Sequence, residues 1–111
     1  MTDSFPFQKM DAYKIAKGLA VLVHQAKIGN AELRDQATRA ATSAFLQLSE
    51  GLPNQSVPMR KRYFVIARNS LCEVMAAIDL AEAVGAMPRE RATEIEALGG
   101  RLGAILVALL R

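Results

Sequence analysis

The sequence has little of the chemistry that marks metal sites, disulfide frameworks and aromatic cores. Its 111 residues include one cysteine, one histidine and no tryptophan, and only 5% are aromatic. A single cysteine excludes an intrachain disulfide, and Cys72 and His24 lie on different segments, so we expect no metal centre. No phosphate loop or other cofactor motif is present, and we predict no cofactor. The single thiol favours a reducing, cytoplasmic compartment.

Long hydrophobic runs are also missing. The most apolar segment, residues 104–110, is far shorter than the ~20 residues that span a bilayer. The first residues lack the basic start and apolar run of a signal peptide. The length indicates one domain over residues 1–111. The apolar residues, mostly Ala, Leu, Ile, Val and Met, favour packed helices over a sheet.

Apolar residues recur every three or four positions between clear stop signals, which predicts four helices. We expect them over residues 6–27, 31–50, 57–84 and 88–109. The expected cap residues are Ser4, Asn30 and Ser56, and Pro88 opens the fourth helix. The expected stops are Gly29, Gly51 and Gly85. Four helices with short connections predict an all-α, antiparallel up-down four-helix bundle.

The third and fourth helices carry more apolar residues than one buried face needs. The predicted core stripe of the third helix is Tyr63, Ile66, Ala67, Ser70, Val74, Ala77, Ile78 and Ala81. Further apolar residues lie off that stripe or at the end of the fourth helix: Phe64, Val65, Leu71, Met75, Leu80, Val107, Ala108 and Leu110. A second apolar face predicts a homo-oligomer. The alternative is one wide core with a few exposed apolar residues.

Three glycines in the fourth helix weaken its intrinsic helix propensity. They are Gly99, Gly100 and Gly103. They indicate either a local irregularity or a close approach to a neighbouring helix.

Positive charge is concentrated near the start of the third helix. The net charge is +3, and no Asp or Glu occurs between residues 51 and 72. The candidate nucleic-acid contacts are Arg60, Lys61, Arg62, Tyr63 and Arg34. The basic side chains would neutralise phosphates, and Tyr63 would stack on a base. The alternative is that these charges form an ordinary solvated helix face.

A set of polar residues stands among alanines and large apolar residues in the second and third helices. Its members are Gln36, Arg39, Ser43, Glu50, Arg68, Ser70 and Glu73. We expect them to be largely buried and to fix the helix register by hydrogen bonds and ion pairs. Glu50 and Glu73 are the only candidates for a carboxylate pair, but they fall at opposite ends of their shared span. No catalytic motif is present, and we predict that the protein is not an enzyme.

The same residues resemble a known family. The pattern comprises Leu33, Arg34, Gln36, Arg39, Ala40, Ala41, Ser43, Glu50 and Gly51, then Ala67, Arg68, Ser70, Leu71 and Glu73. It resembles the four-helix bundle proteins encoded in intervening sequences of bacterial large-subunit ribosomal RNA genes. That family is similar to the accessory variability protein of diversity-generating retroelements, a homopentamer that binds a reverse transcriptase and RNA.

The resemblance implies a left-handed bundle, a pentamer and no enzymatic activity. We therefore expect a homo-oligomeric scaffold or binding module whose partner is RNA, DNA or a nucleic-acid enzyme. The rival interpretation is a protein–protein interaction module without nucleic-acid binding. A small enzyme that uses Glu50 or Glu73 is the third alternative.

Overall fold

The four predicted helices are present. A computed structural model describes residues 5–111, with the side chain of Lys9 excepted. A short 3₁₀ turn (Pro6–Lys9) precedes the helices α1 (Asp11–Gln25), α2 (Ala31–Gly51), α3 (Val57–Ala83) and α4 (Arg89–Leu109). Within the described part of the chain there is no strand. In the same part, no helix is both long and apolar enough to cross a bilayer.

Most helix ends follow the cap and stop residues. The Asn30 Oδ1 atom accepts a hydrogen bond from the Leu33 N–H at 2.9 Å, and Ser56 Oγ accepts one from the Met59 N–H at 3.4 Å. Gly85 follows α3 with a φ of 77°, a left-handed conformation that favours glycine. These helix boundaries confirm the expected positions to within a residue or two. The predicted Ser4 cap lies outside the described residues.

The first helix is shorter than predicted. Met10 has an extended backbone, so residues 6–9 form a separate 3₁₀ turn before α1 begins. At its other end, α1 stops at Gln25 because Ala26 is extended. The extended chain beyond it buries Ile28, which is 1% exposed. Burial of this large side chain in the core therefore outweighs two further helical residues.

The helices form a four-sided antiparallel bundle in which each helix packs against its two neighbours. The α2–α3 pair is in closest contact, and α1 and α4 complete the ring. We call the end that holds Met10, Leu52, Arg60 and Leu109 the base, since these residues line one cavity there. At the opposite end the two remaining connections meet, where the Gly29 N–H donates to the Ala86 carbonyl at 2.7 Å.

Close packing of α2 on α3 depends on small side chains. The α2 residues buried here are mostly alanine: Ala37, Ala40, Ala41 and Ala44. The α3 helix adds Ala67, Ala77 and Ala81 to the core. At the base, a Cβ atom on Gly51 would lie 2.7 Å from Cε1 of Phe64, which is tighter than van der Waals contact allows. Gly51 therefore lets the Phe64 ring fill the end of the core.

The buried stripe of α3 differs from the predicted one. The large buried residues are Phe64, Leu71, Val74 and Ile78, spaced by seven, three and four. The prediction had placed Phe64 and Leu71 off the core, and that was wrong. Ile66 is exposed, and Tyr63 is half-buried at the edge. The two stripes differ by a small rotation of one helix, which periodicity alone does not fix.

The three glycines of α4 have different environments within one continuous helix. A Cβ on Gly99 would meet the sulfur of Met75, so close approach is confirmed there. A Cβ on Gly103 would lie 3.7 Å from Cδ2 of Leu71, an ordinary contact, and one on Gly100 would meet nothing within 4 Å.

Replacing Gly51 with alanine should destabilise the fold, because the new methyl group collides with the buried Phe64 ring. We expect the free energy of unfolding to fall by about 1–3 kcal/mol, the usual cost of overpacking. Gly100→Ala is the matched control and should be neutral or stabilising by up to about 1 kcal/mol, since its site is open and helical. Chemical denaturation followed by circular dichroism measures both. Equal stability of the two variants would contradict the packing described here.

Candidate functional site

The polar residues of α2 and α3 are placed differently from the expectation. Arg39, Glu50, Arg68 and Glu73 are exposed, and none of the charged side chains described within residues 5–111 is buried. The prediction that Arg39, Glu50 and Glu73 are buried ion-pair partners is therefore wrong. The physical reason is the close α2–α3 contact: alanines fill the space between the helices, and long side chains are turned outward.

One polar contact does bridge the two helices. The hydroxyl oxygens of Ser43 and Ser70 lie 2.8 Å apart and share a hydrogen bond in a part-buried position. Gln36 is half-buried near the same side of α2. The expected interhelix role is thus confirmed for the serine pair, the smallest polar side chains in the set.

The serine pair lies within a row of exposed side chains on each helix. Arg39, Ser43, Leu46 and Glu50 are spaced by four, three and four along α2, so they share one side of it. On α3, Ile66, Ser70, Glu73 and Leu80 share one side in the same way. The Ser43–Ser70 bond brings the two rows together. We call these eight residues the seam face.

The seam face combines apolar area with charges that form no ion pair among the described side chains. Leu46 is 52% exposed, Leu80 is 51% exposed and Ile66 is 37% exposed. The ion pairs found within residues 5–111 are Arg89–Glu82 and Arg91–Glu94, and neither includes a seam-face residue. Arg39, Glu50 and Glu73 thus present both signs of charge to solvent. We did not predict this surface from the sequence. Its members nevertheless recur at spacings of three and four, which places them on one side of each helix.

The structure separates the predicted nucleic-acid residues. Arg34 lies near the start of α2, at the end of the bundle opposite the base, and its Nη1 donates to the Ile28 carbonyl at 3.1 Å. Arg60 lies at the base, where its Nη1 donates to the Asn54 carbonyl at 3.3 Å. Because α2 and α3 are antiparallel, the two arginines fall at opposite ends. Each arginine also donates a hydrogen bond to the backbone of a connecting loop.

The remaining basic residues are exposed on α3, with Arg62 about 100° around the helix from Lys61. Lys61 and Arg62 are exposed, and Arg68 follows Lys61 by seven residues, two helical turns along the same side. We call Lys61, Arg62 and Arg68 the basic face. Tyr63 is half-buried with its Cβ near Gly51, so it is not a freely exposed stacking platform. Arg68, which we had expected among the buried polar residues, therefore belongs with the basic residues.

The described side chains that could act in catalysis or bind a metal do not lie together. The serine pair sets the register, so Glu73 lies level with Ala40 of α2 and about 15 Å along the axis from Glu50, at 1.5 Å per residue. His24 is exposed, and its Nε2 lies 2.9 Å from Thr42 Oγ1. Among residues 5–111 no three His, Cys, Asp or Glu side chains are grouped as metal ligands.

The Ser43–Ser70 bond should contribute to stability as a pair. Replacing Ser70 with alanine should lower the free energy of unfolding by about 1 kcal/mol, the usual net value of a hydrogen bond. The Ser43→Ala, Ser70→Ala double variant should lose less than the sum of the two single variants, because one hydrogen bond is counted in both. Chemical denaturation of the four proteins completes the cycle. Strictly additive losses would show that the hydroxyl groups do not interact.

The comparisons agree with the helical architecture. Residues 8–108 match the family model described as 23S rRNA-intervening sequence protein. A crystal structure from Bacteroides thetaiotaomicron, of a protein with unknown function from the S23 ribosomal protein family, superposes with a TM-score of 0.81. That likeness covers 90% of this chain and 98% of the other at 16% identity, and at that identity it shows the fold alone. No curated protein matches the chain. The match over residues 8–108 shows that this chain belongs to the 23S rRNA-intervening sequence protein family.

Proposed function

We propose that the protein is a non-enzymatic, homo-oligomeric binding module that assembles through the seam face and presents the basic face of each copy to nucleic acid. The observation that carries the proposal is the seam face itself. It exposes three large apolar side chains and three charged ones on the most closely packed helix pair. An ordinary solvated face accounts for the charges, but a cluster of large apolar side chains beside them points to a contact surface.

The composition of the seam face suits contact with another copy. Leu46, Ile66 and Leu80 offer apolar area that is costly to leave in water. Arg39 carries the opposite charge to Glu73, so a neighbouring copy of the same face can supply a complementary partner, while Glu50 lies at the base end of the face. Interfaces between copies commonly combine an apolar centre with such a polar rim. The family resemblance implies five copies.

The basic face suits a polyanion. Lys61, Arg62 and Arg68 are exposed on a segment without carboxylates, since residues 51–72 contain no Asp or Glu. Residues 97–111 of the neighbouring α4 also contain none. Three charges on one copy bind phosphates weakly, whereas linked copies multiply the contacts and raise avidity. Phosphate contacts read no bases, so the binding is sequence-independent.

The placement of the charged groups supports a binding role rather than catalysis. General acids and bases acquire matched pKa values chiefly through burial and close charged neighbours. Here the charged side chains described within residues 5–111 are in contact with solvent, and Glu50 and Glu73 lie apart.

The rival function, a protein-interaction module without nucleic-acid binding, is favoured by a separate observation. Phe5 and Met10 at the base are 59% and 44% exposed.

The seam face should control assembly. Light scattering coupled to size exclusion should give a mass several times that of the 12.0 kDa chain at micromolar concentration. Ile66→Glu with Leu80→Glu should yield a folded monomer, because the interface would then bury unpaired charge. Val21→Glu on α1 is the matched control, since Val21 is 44% exposed and lies outside the seam face. A wild-type protein that stays monomeric would refute self-association.

The basic face should control nucleic-acid binding. With labelled single-stranded RNA in fluorescence anisotropy, affinity should fall steeply between ~50 and ~200 mM salt, as expected when neutralised phosphates release counterions. Lys61→Glu with Arg68→Glu should abolish binding without changing the oligomer. Lys14→Glu with Lys17→Glu makes the same change in net charge on exposed positions of α1 and should bind as wild type does. Absence of binding by the wild-type oligomer at ~50 mM salt would favour the protein-interaction module.

A further inference from the structure

Three adjoining cavities form a continuous groove across the base of the bundle. The central cavity, of about 480 Å³, is lined by Phe5, Pro6, Phe7, Met10, Leu52 and Pro53. It shares Phe7 and Pro53 with a cavity of about 470 Å³ that reaches Glu50. It shares Met10 and Leu52 with a cavity of about 320 Å³ that reaches Arg60. We call this continuous depression the base groove.

The middle of the base groove is an apolar surface that the bundle leaves in water. The six described residues that line the central cavity are apolar, and Phe5 and Met10 are 59% and 44% exposed. The volumes suit side chains of a partner, because each cavity is within the ~300–1,000 Å³ range of typical ligand pockets. Contiguous apolar area of this kind marks an interaction site more often than a neutral surface.

An aromatic chain supports the groove and holds its shape. The Phe5 and Phe7 rings stack with centroids 5.9 Å apart, and the Phe7 ring meets the edge of Tyr13 at 5.5 Å. Tyr13 in turn packs on Phe45 of α2 at 5.1 Å. Pro6 and Pro53 further restrict the backbone of the two groove walls. A pre-formed apolar site loses little conformational entropy on binding, which favours affinity.

The two ends of the groove carry opposite charges. Glu50 is exposed at one end and belongs to neither of the ion pairs found within residues 5–111. Arg60 is half-buried at the other end, where the contact to the Asn54 carbonyl uses only some of its five N–H donors. Arg60 likewise meets no carboxylate in the described chain. An occupant that satisfies both ends must carry a cation at one end and a carboxylate at the other.

We propose that the base groove binds a short peptide segment of a partner protein, with large apolar side chains in its middle, a basic residue facing Glu50 and an acidic residue facing Arg60. The apolar middle supplies anchors of the kind that dominate peptide recognition. The two charges fix the direction of the peptide, since a reversed peptide would place like charges together. Nucleic acid fits poorly, because it is repelled by Glu50 and the side chains described along the apolar middle carry no positive charge.

The test uses two fluorescein-labelled synthetic peptides with the same Leu-Phe-Met-Leu middle. One has lysine before and aspartate after the middle, and the other has these two residues exchanged. We expect the full-length protein to prefer one peptide by about tenfold, which corresponds to 1.4 kcal/mol. Glu50→Lys with Arg60→Glu should reverse that preference. If Arg60→Glu disturbs the loop, Glu50→Lys with Arg60→Gln should still weaken binding of the preferred peptide, with folding checked by circular dichroism.

A second pair of variants locates the site. Met10→Asp should weaken the preferred peptide by about tenfold or more, whereas Val21→Asp, at a similarly exposed position outside the groove, should not. Amide NMR shifts on titration should centre on the base groove. Equal affinity for both peptides, insensitivity to Met10→Asp, or shifts centred on the basic face would overturn the proposal. If Met10→Asp instead reduces the mass of the oligomer, the groove holds a second copy and the peptide assignment is wrong.

Discussion

The close contact between α2 and α3 is the constraint on which the remaining surface depends. Alanines fill the interface, Gly51 leaves room for the Phe64 ring, and Ser43 and Ser70 supply a compact hydrogen bond at the seam. Only small side chains fit between helices at this distance. The longer charged side chains on the same flanks, Arg39, Glu50 and Glu73, are therefore turned outward. The packing that stabilises the bundle thus also creates the exposed rows of the seam face.

The antiparallel order of the helices then divides the surface by chemistry. Arg34 and Arg60 are held at opposite ends as loop contacts, while Lys61, Arg62 and Arg68 are exposed along α3. The base collects the start of α1, the α2–α3 connection and the end of α4, which brings exposed aromatic and apolar residues together. One small bundle therefore offers three different surfaces. Each is suited to a different kind of contact: a second copy, a polyanion or a peptide.

Sequence patterns were sufficient for the helices but not for their rotation. Cap and stop residues such as Asn30, Ser56 and Gly85 act within a few residues, so their effect is readable locally. The predicted core of α3 was right for Ala67, Val74, Ala77, Ile78 and Ala81. It was wrong at the start of the helix, where Phe64 and Tyr63 are both large and lie side by side. Which of them is buried depends on where α2 and α4 pack, and that is not encoded in the periodicity of α3 alone.

The sequence by itself determined the fold class, the boundaries of α2, α3 and α4 to within a residue or two, and the absence of acidic residues between positions 51 and 72, because each follows from local propensity or composition. Only the tertiary structure decided that Arg39, Glu50 and Glu73 face solvent while Ser43 and Ser70 meet. Burial of a side chain is set by the distance between helix axes, and that distance results from many contacts acting together. The direction in which these groups point is therefore a property of the packed bundle.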